Sequence, residues 1–176
     1  MRRIIWTFLL LSLLLGVAAG ALAEDNLLQN GGFEVSADGW PTGWTENAWR
    51  YDEGVSYLEL HEGGQDGGQC ALVENVASND ARFLQTVAVE PDTVYRLSGW
   101  VRAEGCDPDK GGANLSVMGA YYKFPAVYDT QGEWVYLESY VRTHAKQNTM
   151  DVGARLGIKS PFSSTTSICR VESLLR

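Results

Sequence analysis

The sequence predicts an all-β protein, an antiparallel sandwich or barrel, on three observations. Beyond residue 24 no long stretch repeats its apolar residues at helical spacing. Short runs rich in Val, Tyr, Trp and Thr recur instead, bounded by clusters of Gly, Asp and Asn. Within those runs, apolar and polar residues alternate with the period of two that belongs to a strand with one buried face.

The chain begins with a segment that stands apart. Met1-Arg2-Arg3 is basic, Ile4 to Ala23 is uncharged and almost wholly apolar, and Ala21-Leu22-Ala23 offers the small-x-small pattern of a signal-peptidase site. A secretory signal over residues 1–23 follows, and with it a secreted or extracellular protein. Left uncleaved, about 20 apolar residues suffice to anchor the chain in a membrane. Loss of Arg2 and Arg3 takes the formal charge from -8 to -10. So acidic a chain argues against nucleic acid, whose phosphates demand a basic surface. Cys70, Cys106 and Cys169 are too few for a disulfide scaffold, and the sequence leaves open which of them pair. None sits in a zinc-binding spacing.

The expected strands, in order, are 48–52, 55–60, 69–76, 82–89, 93–103, 113–120, 134–143 and 150–158. Turn signals separate them: Asp52-Glu53-Gly54, His61-Glu62-Gly63-Gly64, Ser78-Asn79-Asp80, Glu90-Pro91-Asp92 and Gln131-Gly132. In 93–103, Tyr95, Leu97, Val101 and Ala103 form one face, and Arg96, Ser98, Trp100 and Arg102 the other. In 113–120, Leu115 and Val117 alternate with Asn114, Ser116 and Met118. In 150–158, Val152, Ala154 and Leu156 alternate with Asp151, Gly153 and Arg155. Each strand thus offers a core face and a polar face carrying occasional large side chains. Asn30-Gly31-Gly32 is read as a tight turn using the positive φ that glycine tolerates. Phe33 is expected to plug the core edge, Pro91-Asp92 to form the corner of a β-turn, and Gln85 to start a centrally paired run.

Four segments carry a family resemblance. NLLQNGGFE with GWPTGW, then GGQCALVENV, then NDARFLQTVAVEPDTVYRLSGWVRAEG, then GEWVYLESYVRT occur in the order and spacing of the carbohydrate-binding modules of families four and nine. The chain resembles these modules over most of residues 26–158. The resemblance implies a galactose-binding-like β-jelly-roll over residues 24–160. Such modules are non-catalytic and are attached to secreted polysaccharide-degrading enzymes, so a catalytic or anchoring domain in a longer parent is implied as well. The end departs from the pattern. IKSPFSSTTSICRVESLLR lacks the acidic aromatic strand with which such modules close, and no Asp follows Asp151. Residues 161–176 are therefore expected to form an atypical tail, truncated or altered by a frame change, with the last strand built imperfectly by 165–171 or missing.

Sugar rings stack apolar C–H faces on aromatic side chains, while their hydroxyls need amides, carboxylates or guanidiniums as partners. Candidates away from the expected core are Trp100, Arg102, Asn114, Met118, Tyr136 and Glu138. Loop candidates are Trp44, Trp49, Tyr121, Tyr122 and Tyr128. The competing reading of each aromatic is core or edge packing, and it is preferred for Trp40, Trp44 and Trp134. The resemblance also implies a structural calcium, with Glu34 at the Phe-Glu position and Glu62 and Asp66 of the 61–68 loop as further ligands. Calcium takes hard oxygens of this kind. The ordinary reading of Glu34 is a solvated carboxylate at a turn. His61 and His144 have no Ser or Cys motif around them, so a catalytic triad is unsupported.

Three functions follow. The first is non-catalytic binding of a polysaccharide or glycan. The second is an extracellular structural or adhesive domain without a sugar site, because jelly-rolls host unrelated functions. The third is an enzyme, which would need a cleft with paired carboxylates. Whether Trp100 and its polar neighbours are accessible or covered separates the first two.

Overall fold

The computed structural model describes residues 26–106, 108–109, 111–120, 123–157 and 164–175. The segment expected to be a secretory signal, residues 1–23, lies outside the described residues. Among the described residues there are strands and turns and no helix.

The first two strands, β1 (Ser36–Ala37) and β2 (Trp40–Pro41), form a small hairpin. The others are β3 (Thr45–Ala48), β4 (Ser56–Glu62), β5 (Gln69–Asn75), β6 (Ala81–Ala88), β7 (Val94–Glu104), β8 (Ala113–Val117), β9 (Ala126–Val127), β10 (Val135–Arg142), β11 (Thr149–Leu156) and β12 (Ser164–Leu175). They form two five-stranded sheets, ordered β10-β7-β12-β5-β4 and β3-β6-β11-β8-β9. Every recorded pair is antiparallel. The fold is the β-sandwich of the jelly-roll type.

One expectation about strands changes. Residues 48–52 were expected to be a strand, but β3 runs Thr45–Ala48 and, after a last bond from the Trp49 amide to the Asp80 carbonyl, the chain leaves the ladder. The reason is a buried network. Asn79 accepts from the Arg50 amide (2.9 Å) and donates to the Arg50 carbonyl (2.9 Å), which takes both backbone groups away from any ladder. Ser56 and Asn75 complete this network, with Ser56 Oγ donating to Asn75 Oδ1 at 2.6 Å. At the C-terminal end, where a last strand built imperfectly by 165–171 or missing was expected, a strand is present. β12 lies in the middle of its sheet, paired with β5 on one side and β7 on the other, with a register shift between Ile168 and Arg170.

The core lies between the sheets, and the alternation puts it there. Tyr95, Leu97, Val101 and Ala103 of β7 meet Ala113, Leu115 and Val117 of β8 and Met150, Val152, Ala154 and Leu156 of β11. Phe33 is fully buried, its ring 4.9 Å from that of Trp44 and 6.0 Å from that of Phe83. Trp40 packs on Phe83 with ring centres 5.0 Å apart. Both indoles also donate locally, Trp40 Nε1 to the Trp44 carbonyl and Trp44 Nε1 to the Asn30 carbonyl. Trp40 and Trp44 are therefore structural. Gln85 and Gln29 exchange a reciprocal pair of bonds, 2.7 and 2.9 Å, which ties the N-terminal segment to β6.

The Asn30-Gly31-Gly32 turn differs from expectation in detail. Its positive φ values fall on Asn30 (50°) and Phe33 (61°), not on the glycines. Asparagine tolerates this region because its short amide bonds locally, and Asn30 Nδ2 donates to the Val35 carbonyl at 2.7 Å. Asp92 at φ 52° after Pro91 makes the β-turn corner expected there.

Candidate functional site

Directly opposite residues of an antiparallel pair share a face, so the register places every outward side chain. On the β3-β6-β11-β8-β9 sheet, Asn47 stands opposite Arg82, Arg82 opposite Arg155, and Arg155 opposite Asn114. One polar row thus crosses four strands. The adjacent row is Thr45, Leu84, Gly153 and Ser116. Gly153 brings no side chain, and a Cβ there would meet Arg82 Cδ at 3.2 Å, so the face is hollowed beside the arginine. A third row joins Thr86 and Asp151, with the Thr86 hydroxyl donating to Asp151 Oδ1 at 2.6 Å.

A depression of about 260 Å³ opens on this face, lined by Arg82, Asn114, Ser116, Met118, Lys123 and Arg155 among others. Its charged floor is tightly built. Arg155 grips Asp80 through Nε–Oδ1 and Nη2–Oδ2, both 2.7 Å, and Arg82 Nη2 donates to Asp80 Oδ1 at 2.7 Å. Bidentate guanidinium–carboxylate bonds of this kind fix geometry as well as adding energy. Burial lowers the pKa of Arg82, and the carboxylate of Asp80 opposes that shift. The guanidinium stays charged in either case. Two buried atoms at this floor lack a hydrogen-bond partner, Arg82 Nε and Asn114 Oδ1. One is a donor and the other an acceptor, and a buried polar atom left unpaired is costly unless something supplies the bond.

Two exposed aromatics lie beside the arginine row. Trp49 is 67% exposed and Tyr51 64% exposed. The Asn79 network holds this segment, and the Trp49 amide donates to the Asp80 carbonyl at 3.0 Å, so Trp49 stands at the edge of the arginine row. Tyr51 Oη accepts from the Ala48 amide at 2.9 Å.

The residues expected at a sugar site divide between opposite sides of the sandwich. Asn114 and Trp49 belong to the face just described. Trp100, Arg102, Tyr136 and Glu138 lie on the outer face of the other sheet, where Tyr136 is opposite Trp100 and Glu138 opposite Ser98. There Trp100 and Tyr136 meet edge-to-face with centroids 5.4 Å apart, Arg102 sits 4.8 Å over the Trp134 ring, and Arg96 Nη1 is 3.6 Å from Glu138 Oε2. Tyr140 Oη donates to Glu138, whose carboxylate raises the phenol pKa. Trp100 is half-buried and Tyr136 exposed, so among the described residues the aromatics of this face are paired with one another. Tyr121 and Tyr122 lie outside the described residues.

Of the calcium candidates, Glu34 Oε1 accepts from the Gln69 amide at 2.9 Å and Asp66 Oδ1 from the Gly68 amide at 3.2 Å. Glu62 stands opposite Gln69 in the β4–β5 ladder. No cluster of three or more His, Cys, Asp or Glu with metal-binding geometry occurs among the described residues.

A β-sandwich with a polar depression on one sheet and exposed aromatics beside it has the build of a ligand-binding jelly-roll module. Residues 25–160 match the model of the CBM_4_9 family, a carbohydrate binding domain, and the chain belongs to that family. A stretch of 87 residues, 48% of this chain and 12% of the relative, is 36% identical to exochitinase 1 of Streptomyces olivaceoviridis. Among solved structures the fold is similar to TmCBM61 in complex with beta-1,4-galactotriose (TM-score 0.57, 17% identity, 87% of this chain and 100% of that one). It is also similar to the CBM22-1 xylan-binding domain of Paenibacillus barcinonensis Xyn10C (TM-score 0.55, 17% identity, 87% and 96%).

Arg82, Asp80, Ser116, Arg155, Asn47 and Tyr51 were not among the expected site residues. The alternation already set Ser116 and Arg155 on polar faces. What the sequence did not show is that β6, β8 and β11 are neighbours, since 24 residues or more lie between β6 and each of the others.

Proposed function

We propose that this chain is a non-catalytic module that binds a glycan in the groove across β3, β6, β11 and β8. The observation that carries it is the pair of unpartnered buried atoms, Arg82 Nε and Asn114 Oδ1, on two residues that line the depression, with the exposed Trp49 at the end of the same arginine row. A sugar hydroxyl both donates and accepts, so it suits a floor offering one of each, and its ring suits the exposed indole. Among the described residues no carboxylate lines the groove, and the neighbouring Asp80 is held by two arginines, which does not match the paired carboxylates of a glycosidase. Family membership supports the same reading, as does the galactotriose in the complex of TmCBM61. An extracellular location, and a larger parent carrying a catalytic domain as in the exochitinase, are part of this proposal.

The test is binding of the folded chain to a panel of soluble and insoluble polysaccharides, with Ser116→Trp as a variant that fills the groove. Binding that this variant abolishes supports the proposal; binding that it leaves intact moves the site to the Trp100 face. A folded chain that binds no glycan favours the structural or adhesive alternative.

A structural calcium at the 61–68 loop is a second, separate proposal. Glu34 and Asp66 bring carboxylates to consecutive amides, and backbone carbonyls of the loop would complete the oxygen set. Millimolar calcium then raises the melting temperature by several degrees over a chelated sample, because a ligand of the native state alone stabilises it. An unchanged midpoint overturns it.

A further inference from the structure

We propose that the ligand of this groove carries an anionic substituent, a carboxylate or a sulfate, received by Arg155 and Lys123 beside the buried Arg82–Asp80 pair. The inference rests on the groove being the glycan site and deepens it by naming the ligand class. The chain as a whole carries a formal charge of -8, yet the groove has the opposite sign. Arg82, Arg155 and Lys123 line it, and among the described residues no carboxylate does. Of the described carboxylates Asp80 answers the two guanidiniums, so they keep one positive charge in excess, and Lys123 adds another.

The remaining charged groups nearby do not remove that excess. Asp151 lies two rows away and accepts from the Thr86 hydroxyl. Arg50 and Asp52 form their own exposed pair at 3.0 Å, and Tyr51 offers only a phenol. A concave site with poorly polarisable walls focuses such a field on whatever enters it.

Donors are available as well as charge. Arg155 commits Nε and Nη2 to Asp80, and its Nη1 remains for a ligand. Because Asp80 fixes the guanidinium plane, an incoming anion meets a pre-oriented donor, which lowers the ordering cost of binding. Lys123, exposed on the segment after β8, brings a mobile ammonium to the other side of the same depression. A neutral sugar makes use of the hydroxyl-matching floor but not of these two cations.

The experiment sets uronate-containing polysaccharides beside their carboxyl-reduced forms, and sulfated ones beside their desulfated forms, in calorimetry with the full chain. The expected result is at least tenfold tighter binding of the acidic member of a pair. That preference shrinks in 0.5 M NaCl, as screened charge requires, and falls severalfold in Lys123→Gln, a loop change that spares the Asp80 cluster. The uronate and sulfate arms identify which anion is taken. Equal binding within every pair, still abolished by Ser116→Trp, overturns the anionic ligand and leaves the groove as a neutral glycan site. Acid preference that survives Ser116→Trp places the anion elsewhere and overturns the proposal. Failure of every glycan to bind overturns both readings.

Discussion

At the scale of single residues, the two faces of the sandwich make opposed demands. Trp49 presents an exposed indole beside the arginine row, whereas Trp100 is half-buried against Tyr136. Trp49→Ala is expected to weaken glycan binding by roughly 1–3 kcal/mol, the range for truncating an aromatic contact anchor. Trp100→Ala is expected to leave the affinity unchanged and to lower stability; titration calorimetry and urea unfolding on both variants measure the contrast. Asp80→Asn makes a different point. Its carboxylate is the sole counter-charge of two partly buried guanidiniums, so the variant should lose about 3 kcal/mol in urea unfolding, as when one partner of a buried ion pair is removed. Trp40 and Trp44 were legible as structural aromatics in part because their indole bonds close within 14 residues of chain, although Trp40 also packs on the distant Phe83. The Asp80 cluster was not legible, since 75 residues separate Asp80 from Arg155 and alternation alone says nothing of which strands meet.

At the scale of elements, the groove depends on how β8 and β9 close its end. Gly112 enters β8 at φ 58°, and a Cβ there would stand 2.6 Å from the Val127 carbonyl oxygen of β9. Gly112→Ala should therefore cost roughly 1–3 kcal/mol of strain and displace β9, which urea unfolding together with glycan affinity would register. Element boundaries were legible where alternation was strong. β7 was expected over 93–103 and runs Val94–Glu104, and β10 was expected over 134–143 and runs Val135–Arg142. The miss at β3 has a specific cause, because the segment 48–52 has strand-like composition but its backbone groups are claimed by Asn79, far along the chain. Side-chain capture of backbone hydrogen bonds competes with a ladder and leaves no periodic trace in the sequence.

At the scale of the whole molecule, the sandwich is held by pairings distant in sequence, with β12 inserted between β5 and β7. Residues 25–160 carry the family match, yet the strand that completes the sheet lies beyond them. A chain ended at residue 163 is expected to show no cooperative thermal transition by circular dichroism, since β5 and β7 would each expose an unpaired edge. The fold class and the core were legible as a whole, because one apolar face per strand admits few arrangements other than a sandwich. The location of the groove was not, because candidate residues from both outer faces were read together and only the sheet order divides them.

The central place of β12 also governs when the molecule can assemble. Until residues 164–175 arrive, β4 with β5 and β7 with β10 are separate ribbons whose facing edges have nothing between them. Residues 164–175 are thus the keystone, so closure of the sheet waits for them and stays slow, as closures across long sequence intervals are. Until then the two ribbons present open edges, the kind of surface that invites pairing with other chains.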